Sequence, residues 1–278
     1  MALQLKSYPA KSLRETLVFP PEIVKALDWY GENSKYKTSD DLDINQEVHI
    51  GCSQVADVSS LKYVKKITLT NCRNITDVSA LCNATYISLF RCTKITNVNV
   101  LCNVEILDIE GLSNVDDVSA LGNVKELRLI NCPNVTDVSA LKYVKKLAIS
   151  GLPKLIDVSA LGYVEILIIE DCDEITDVSM LRTVKQLCIS ECSNITDVSQ
   201  LGTVLTLTLG WLPGVTDVSA LSSVSDLDII KCHNIRDVSA LKTCKKLHIG
   251  ACFGITDVSM LSTVKDFTID GCPYVTKM

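Results

Sequence analysis

Apolar positions recur every twenty residues along this chain, and the register does not slip from Cys52 to Met278. In the unit from Val64 to Asn83 they are Val64, Ile67, Leu69, Ile75, Val78 and Leu81, with Cys72 between. The step from Ile67 to Leu69 has period two, which predicts a strand turning both side chains inward. Ile75, Val78 and Leu81 are three apart, a spacing that suits a tight turn or a 3₁₀ segment. A fixed period near twenty predicts a solenoid. Twenty residues leave no room for a full α-helix on the outer side, so extended chain and short 3₁₀ turns are expected there. Coils stacked about 4.8 Å apart would give a sheet on the order of 50 Å long for about eleven units.

The polar positions are as regular as the apolar ones. The triplet Asp-Val-Ser occurs ten times, beginning at Asp57, Asp77, Asp117, Asp137, Asp157, Asp177, Asp197, Asp217, Asp237 and Asp257. An Asp here can accept from the backbone N–H two or three residues on, Ser79 or Ala80 in the unit above, and so start the turn. One unit departs, with Asn97-Val98-Asn99, and Asn can still cap. A calcium ladder is the alternative reading of this column. One carboxylate per turn is too few for an ion that takes 6–8 oxygens.

Nine of the thirteen cysteines share one repeat position: Cys52, Cys72, Cys92, Cys132, Cys172, Cys192, Cys232, Cys252 and Cys272. The same column holds Leu112, Leu152 and Leu212 in other units. A position that accepts Leu is an apolar pocket, where a Cys behaves as a small hydrophobe. There is no C-x-x-C pair, so zinc spacing is absent, and no metal or cofactor is expected. So many thiols without a leader peptide point to a reducing compartment, the cytoplasm.

Net charge is −6, from 27 basic and 33 acidic side chains, with no basic stripe of the kind nucleic-acid binders show. Lys65-Lys66, Lys145-Lys146 and Lys245-Lys246 recur at one repeat position and alternate with Glu105, Glu165 and Asp226, a pattern expected of a solvated charged rim. No apolar run reaches membrane-spanning length. The expectation is no nucleic acid and no membrane among the partners. Catalysis finds little support. None of His49, His233 and His248 lies near a Cys or Ser in a way that the repeat spacing could turn into a dyad, and Cys188 and His248 lie three units apart on one face.

Residues 1–43 differ from the rest. Pro20-Pro21-Glu22 opens a short amphipathic segment that Gly31 closes, which predicts a cap with one short helix at about 21–30. Residues 44–278 are then a solenoid of about 11–12 coils. The first strand, Glu47-Val48-His49-Ile50-Gly51-Cys52, is one residue shorter than the rule between strand and Cys, as a terminal repeat is. At the other end the sequence stops midway through a unit, with Lys277 at the Asp position, so Phe267, Ile269 and Val275 are expected at an uncapped edge. The expectation there is a monomer or a weak end-to-end dimer.

The spacing L-x-x-L-x-L-x-x-(N/C)-x-(I/L) in each unit resembles that of leucine-rich repeat proteins. The Ile75-Thr76-Asp77-Val78-Ser79-Ala80-Leu81 turn resembles the internalin type, and Cys72 at the ladder position resembles the cysteine-containing repeats of F-box proteins. Segments such as Leu121-Gly122-Asn123-Val124 and Asn194-Ile195-Thr196-Asp197 resemble repeat arrays of large DNA viruses of amoebae. The resemblance covers residues 52–278. It implies an α/β leucine-rich repeat solenoid with a parallel β-sheet on the concave face and turns with short 3₁₀ segments on the convex face. If the chain is viral, it implies a host protein as partner and the host cytoplasm as location. Phe19 to Leu27 faintly resembles the opening of an F-box, but the polar stretch Glu32 to Asp43 does not continue it.

In such a solenoid the residues between the inward strand positions face out on the concave sheet. These columns vary in size and charge, whereas the convex columns hardly vary. Exposed aromatic, Arg and aliphatic side chains are the usual anchors of a protein interface. The candidate partner-binding residues are Tyr86, Phe90, Arg91, Arg128, Ile130, Ile168, Trp211 and Ile230, with Glu110, Glu170 and Asp171 as polar companions. The expected function is a non-enzymatic protein–protein interaction module. The alternatives are an F-box-like substrate adaptor of a ubiquitin ligase and a structural or self-associating protein. Identical blocks such as Leu61–Lys66 and Leu141–Lys146 also fit recent duplication, with the concave variation as drift.

Overall fold

The computed structural model describes residues 47–51 and 53–276. The cap at 1–43, its helix at about 21–30, the F-box-like segment, Cys52 and Lys277 lie outside these residues. Twelve strands form one parallel sheet in chain order. They are β1 (Glu47–Ile50), β2 (Lys66–Thr70), β3 (Tyr86–Phe90), β4 (Ile106–Glu110), β5 (Glu126–Ile130), β6 (Lys146–Ser150), β7 (Ile166–Glu170), β8 (Gln186–Ser190), β9 (Thr206–Gly210), β10 (Asp226–Ile230), β11 (Lys246–Gly250) and β12 (Asp266–Asp270). From β2 onward the register is twenty residues, as in Leu167 opposite Leu187. Between β1 and β2 it is nineteen, with Val48 opposite Ile67, which matches the shortened first unit in the sequence. The fold is a leucine-rich repeat solenoid.

Each coil closes on the same seven inward positions. In one unit these are Val164, Leu167, Ile169, Cys172, Ile175, Val178 and Leu181, none more than 1% exposed. Every coil stacks this ring on the next, so the core is a continuous column of aliphatic and thiol side chains. On β12, the last strand described, Phe267 and Ile269 are only half-buried, because no further strand covers them in the structure.

The convex side is turns and 3₁₀ segments, as expected, but the 3₁₀ part is shorter than the spacing suggests. It covers Ser79–Leu81 in an early coil and Ser139–Tyr143 in a later one. Ile75 and Val78 precede it in irregular chain that runs inward. The Asp column starts each of these turns. Asp77 Oδ1 accepts from Ser79 N at 2.8 Å, and the same bond recurs at the other nine Asp positions. In the departing unit Asn97 Oδ1 accepts from Asn99 N at 2.9 Å. Asn99 also ties its coil to the next, donating to Asp117 Oδ2 and accepting from Ala120 N.

The cysteine column is core. Cys92, Cys132, Cys172, Cys192, Cys232 and Cys252 are fully buried, as are Leu112, Leu152 and Leu212 in the same column. Each of those thiols donates to the carbonyl two residues back, at the end of the strand: Cys172 Sγ to Glu170 O at 3.2 Å, Cys192 Sγ to Ser190 O at 3.2 Å. Burial pushes the Cys132 and Cys172 thiols up to about 11, so they stay protonated and inert at neutral pH.

Two features of the turns were not read from the sequence. The residue after each strand from β2 onward is left-handed, with φ of 50–55° at Asn71, Arg91, Asn131, Asp171, Glu191, Trp211, Lys231 and Ala251 and of 58–69° at Gly111, Gly151 and Gly271. Its N–H reaches the carbonyl of the next strand's last residue, as Asn71 N does to Phe90 O at 2.8 Å, which extends the ladder by one bond. Three residues further on, Asn74, Asn114, Asn134, Asn194 and Asn234 each donate Nδ2 to a main-chain carbonyl of the preceding coil at 2.7–2.8 Å.

The Asp column makes a stability prediction. The Ser159 N–H holds the Asp157 carboxyl below its ordinary value of 3.8. The stability this bond supplies is present above that value and is lost as pH falls through the lowered one. Urea unfolding at pH 7 should show Asp157→Ala destabilised by about 0.5–1 kcal/mol and Asp157→Asn nearly unchanged, as Asn97 already serves in this place. The gap between wild type and Asp157→Ala should close as pH is taken below the carboxylate range.

Candidate concave interaction surface

Side chains at the first, third and fifth residues of each strand point away from the core, and all candidate residues on strands lie in these columns. Tyr86 and Phe90 are on β3, Glu110 on β4, Arg128 and Ile130 on β5, Ile168 and Glu170 on β7, and Ile230 on β10. Arg91, Asp171 and Trp211 follow the strands, in the left-handed position at the rim of the sheet. The surface therefore has a floor of half-buried side chains and a rim of residues held in a sparsely populated backbone conformation.

The structure gathers the candidates into three groups. In the first, Tyr86 donates Oη–H to Asp108 Oδ2 at 3.3 Å, and Arg128 Nη1 approaches the same oxygen at 3.5 Å. Asp108, on β4 between them, was not among the sequence candidates. Burial pushes its carboxyl above the ordinary value while the Arg128 guanidinium pulls it back down. Beside this group the Arg91 guanidinium lies 4.9 Å from the Phe90 ring centre, a cation–π contact. The second group is apolar. Ala148, Ile168 and Cys188 stand side by side on β6, β7 and β8, with Ile166 one pleat away on β7. Ile130 lies on β5 beyond them. The third group is Trp211, 52% exposed, with Lys231 Nζ 4.7 Å above its ring. Ile230 stands next to it, between the bare backbones of Gly210 and Gly250.

The charged rim at the strand starts is internally paired. Lys125 reaches Glu105 at 2.8 Å, Lys146 reaches Glu126 at 2.7 Å, and Glu165 is held by Lys185 at 3.1 Å and Lys145 at 3.6 Å. The opposite rim is different. Glu170, Asp171 and Glu191 cluster at the ends of β7 and β8, and among the described residues no ion pair reaches them. Burial raises the Glu170 carboxyl, and the charges of Glu191 and Asp171 raise it further.

Chemistry of other kinds has little to stand on. Burial, with the carboxylates of Glu170 and Asp228, pushes the Cys188 thiol up to about 11. His248 lies between Asp228 at 3.7 Å and Asp270 at 3.6 Å, on β11. β11 is three strands from Cys188, roughly 14 Å by strand spacing. Among the described residues no three His, Cys, Asp or Glu side chains are grouped to hold a metal ion. None of the described helices is long and apolar enough to cross a membrane. A shallow convex cleft lined by Thr176, Asp177, Asp197 and Gln200 has its carboxylates already engaged by Ser179 N and Ser199 N.

No protein-family model and no curated protein matches the chain. Solved structures do. An internalin, inlF, from Listeria monocytogenes is 21% identical, with a TM-score of 0.48, over 78% of this chain and 77% of that one. The functional domain of InlJ from Listeria monocytogenes, which includes a cysteine ladder, is 16% identical, with a TM-score of 0.44, over 81% of this chain and 63% of that one. The plant peptide hormone receptor RGFR1, in complex with RGF2, is 12% identical, with a TM-score of 0.34, over 84% of this chain and 50% of that one.

The backbone at Trp211 separates folding from surface. A large side chain at φ 52° is held against its conformational preference, by about 1 kcal/mol. Three units place Gly at this column. Trp211→Gly should leave the urea midpoint unchanged or raise it slightly, whereas Trp211→Val, β-branched, should lower stability by more than about 1 kcal/mol.

Proposed function

We propose that this chain is a non-enzymatic protein-binding module that takes a partner on its concave sheet. One observation carries the reading: the two faces of the same coil are under different rules. The Asp-Val-Ser turn and the inward columns of the convex side repeat because those residues have structural duties. Asp caps a turn, Asn reaches the coil before, and Val and Leu fill the core. The outward residues on the strands and just after them have no such duty, yet they hold an Arg–Asp–Tyr cluster, an aliphatic patch and a Trp with a Lys over it. Aromatic and Arg side chains set in half-buried floors are what protein interfaces use as anchors.

The test is capture of partners from the native cell on the full chain, wild type against Phe90→Ala plus Trp211→Ala. Both side chains are outward, so the fold should persist by circular dichroism. The partner recovered by the wild type should be lost or reduced at least about tenfold, as for two anchor side chains. Equal recovery by both proteins would contradict binding on this face.

A further inference from the structure

The apolar group on β6–β8 and the acidic rim beside it define the chemistry of an occupant. Ala148, Ile168 and Cys188 are adjacent in register, and Ile166 extends the patch along β7. All four are half-buried. The field across the patch is one-sided. The lysines of its positive edge are ion-paired within the molecule, since Lys145 and Lys185 share Glu165 and Lys146 holds Glu126. Its negative edge, Glu170, Asp171 and Glu191, has no cation among the described residues. Three carboxylates that repel one another beside an apolar floor are an incomplete arrangement. A cation arriving with an apolar group completes it, and an anion is turned away.

We propose that this patch takes a short basic segment of a partner protein, whose aliphatic side chains pack on Ile166, Ile168 and Ala148 while its Lys or Arg side chains meet Glu170, Asp171 and Glu191. The inference rests on the concave face being the binding face. An extended segment reading apolar-x-apolar-x-basic fits the geometry, because neighbouring outward residues along β7 are themselves two apart and lead from Ile166 through Ile168 to Glu170. The raised Glu170 carboxyl agrees with an unneutralised cluster.

The test is selection of a phage-displayed library of random decapeptides on the immobilised full chain, followed by fluorescence anisotropy of an enriched peptide. Two variants keep the fold safe. E170Q/D171N/E191Q removes charge at constant shape, and Asn already occupies the left-handed position at Asn71 and Asn131. I166T/I168T installs Thr, which β9 carries in both columns at Thr206 and Thr208. The enriched peptides should carry Ile, Leu or Val with Lys or Arg spaced two residues from them, on the same face of an extended chain. They should bind each variant about tenfold more weakly than wild type, and more weakly still at high salt. Enrichment of neutral or acidic peptides overturns the proposal. If I166T/I168T weakens binding and E170Q/D171N/E191Q does not, the basic partner is overturned while the concave reading stands. If neither variant weakens binding, the patch is not the site, and failure of Phe90→Ala plus Trp211→Ala as well takes the concave reading with it.

Discussion

The in-register parallel ladder is the constraint on which everything else in this molecule depends. A strand that slipped by one residue would turn its inward side chains to solvent and its outward ones to the core. Every coil must therefore return the chain one strand spacing further along with the same phase. Twenty residues do this only if the return path is closed the same way each time. The Asp-to-Ser turn, the 3₁₀ segment and the left-handed residue after the strand are the closures, with the Asn bond to the preceding coil added in five of the coils. Each satisfies backbone groups that a helix-free convex side would otherwise leave open. The one coil with a different count, between β1 and β2, sits at the start of the stack, where it disturbs the phase of no strand before it in the described residues.

This division of duties explains which parts were legible in the sequence. The strands, the core ring and the Asp caps each follow from spacing, because a periodic chain repeats its environment. The Cys column was readable as core because Leu112, Leu152 and Leu212 share it, and the structure buries both residue types alike. The paired Lys and Glu rim followed from the twenty-residue offset. The left-handed column carried a signal that was passed over: Asn and Gly recur there, at Asn71, Gly111, Asn131, Gly151 and Gly271. It was obscured because Arg91, Asp171 and Trp211 in the same column look like surface anchors and were read only as such. Both descriptions hold, since these side chains are displayed from a strained rim.

The concave surface was legible in outline and not in grouping. Its columns were identified, but Asp108 was missed because it is an ordinary acid until register places it between Tyr86 and Arg128. The same offset that paired the rim would have found it. Ile166 and Cys188 were missed for a related reason, since an apolar patch is a property of neighbouring strands and not of one residue. Charge behaves likewise. The sum of −6 says little, whereas the distribution, ion-paired on one edge of the sheet and bare on the other, carries the chemistry.

The central claim is that outward concave residues are free of folding duty and so available for recognition. Native-state hydrogen exchange tests it most directly, on wild type and on a chain whose β7 carries the outward residues of β2, namely I166K, I168T and E170T. The account predicts that backbone amides of β6, β7 and β8 keep their protection to within about 1 kcal/mol, since only cross-strand side-chain pairing is altered. Loss of protection across all three strands, on the scale of removing Leu167 or Ile169 from the core, would contradict it.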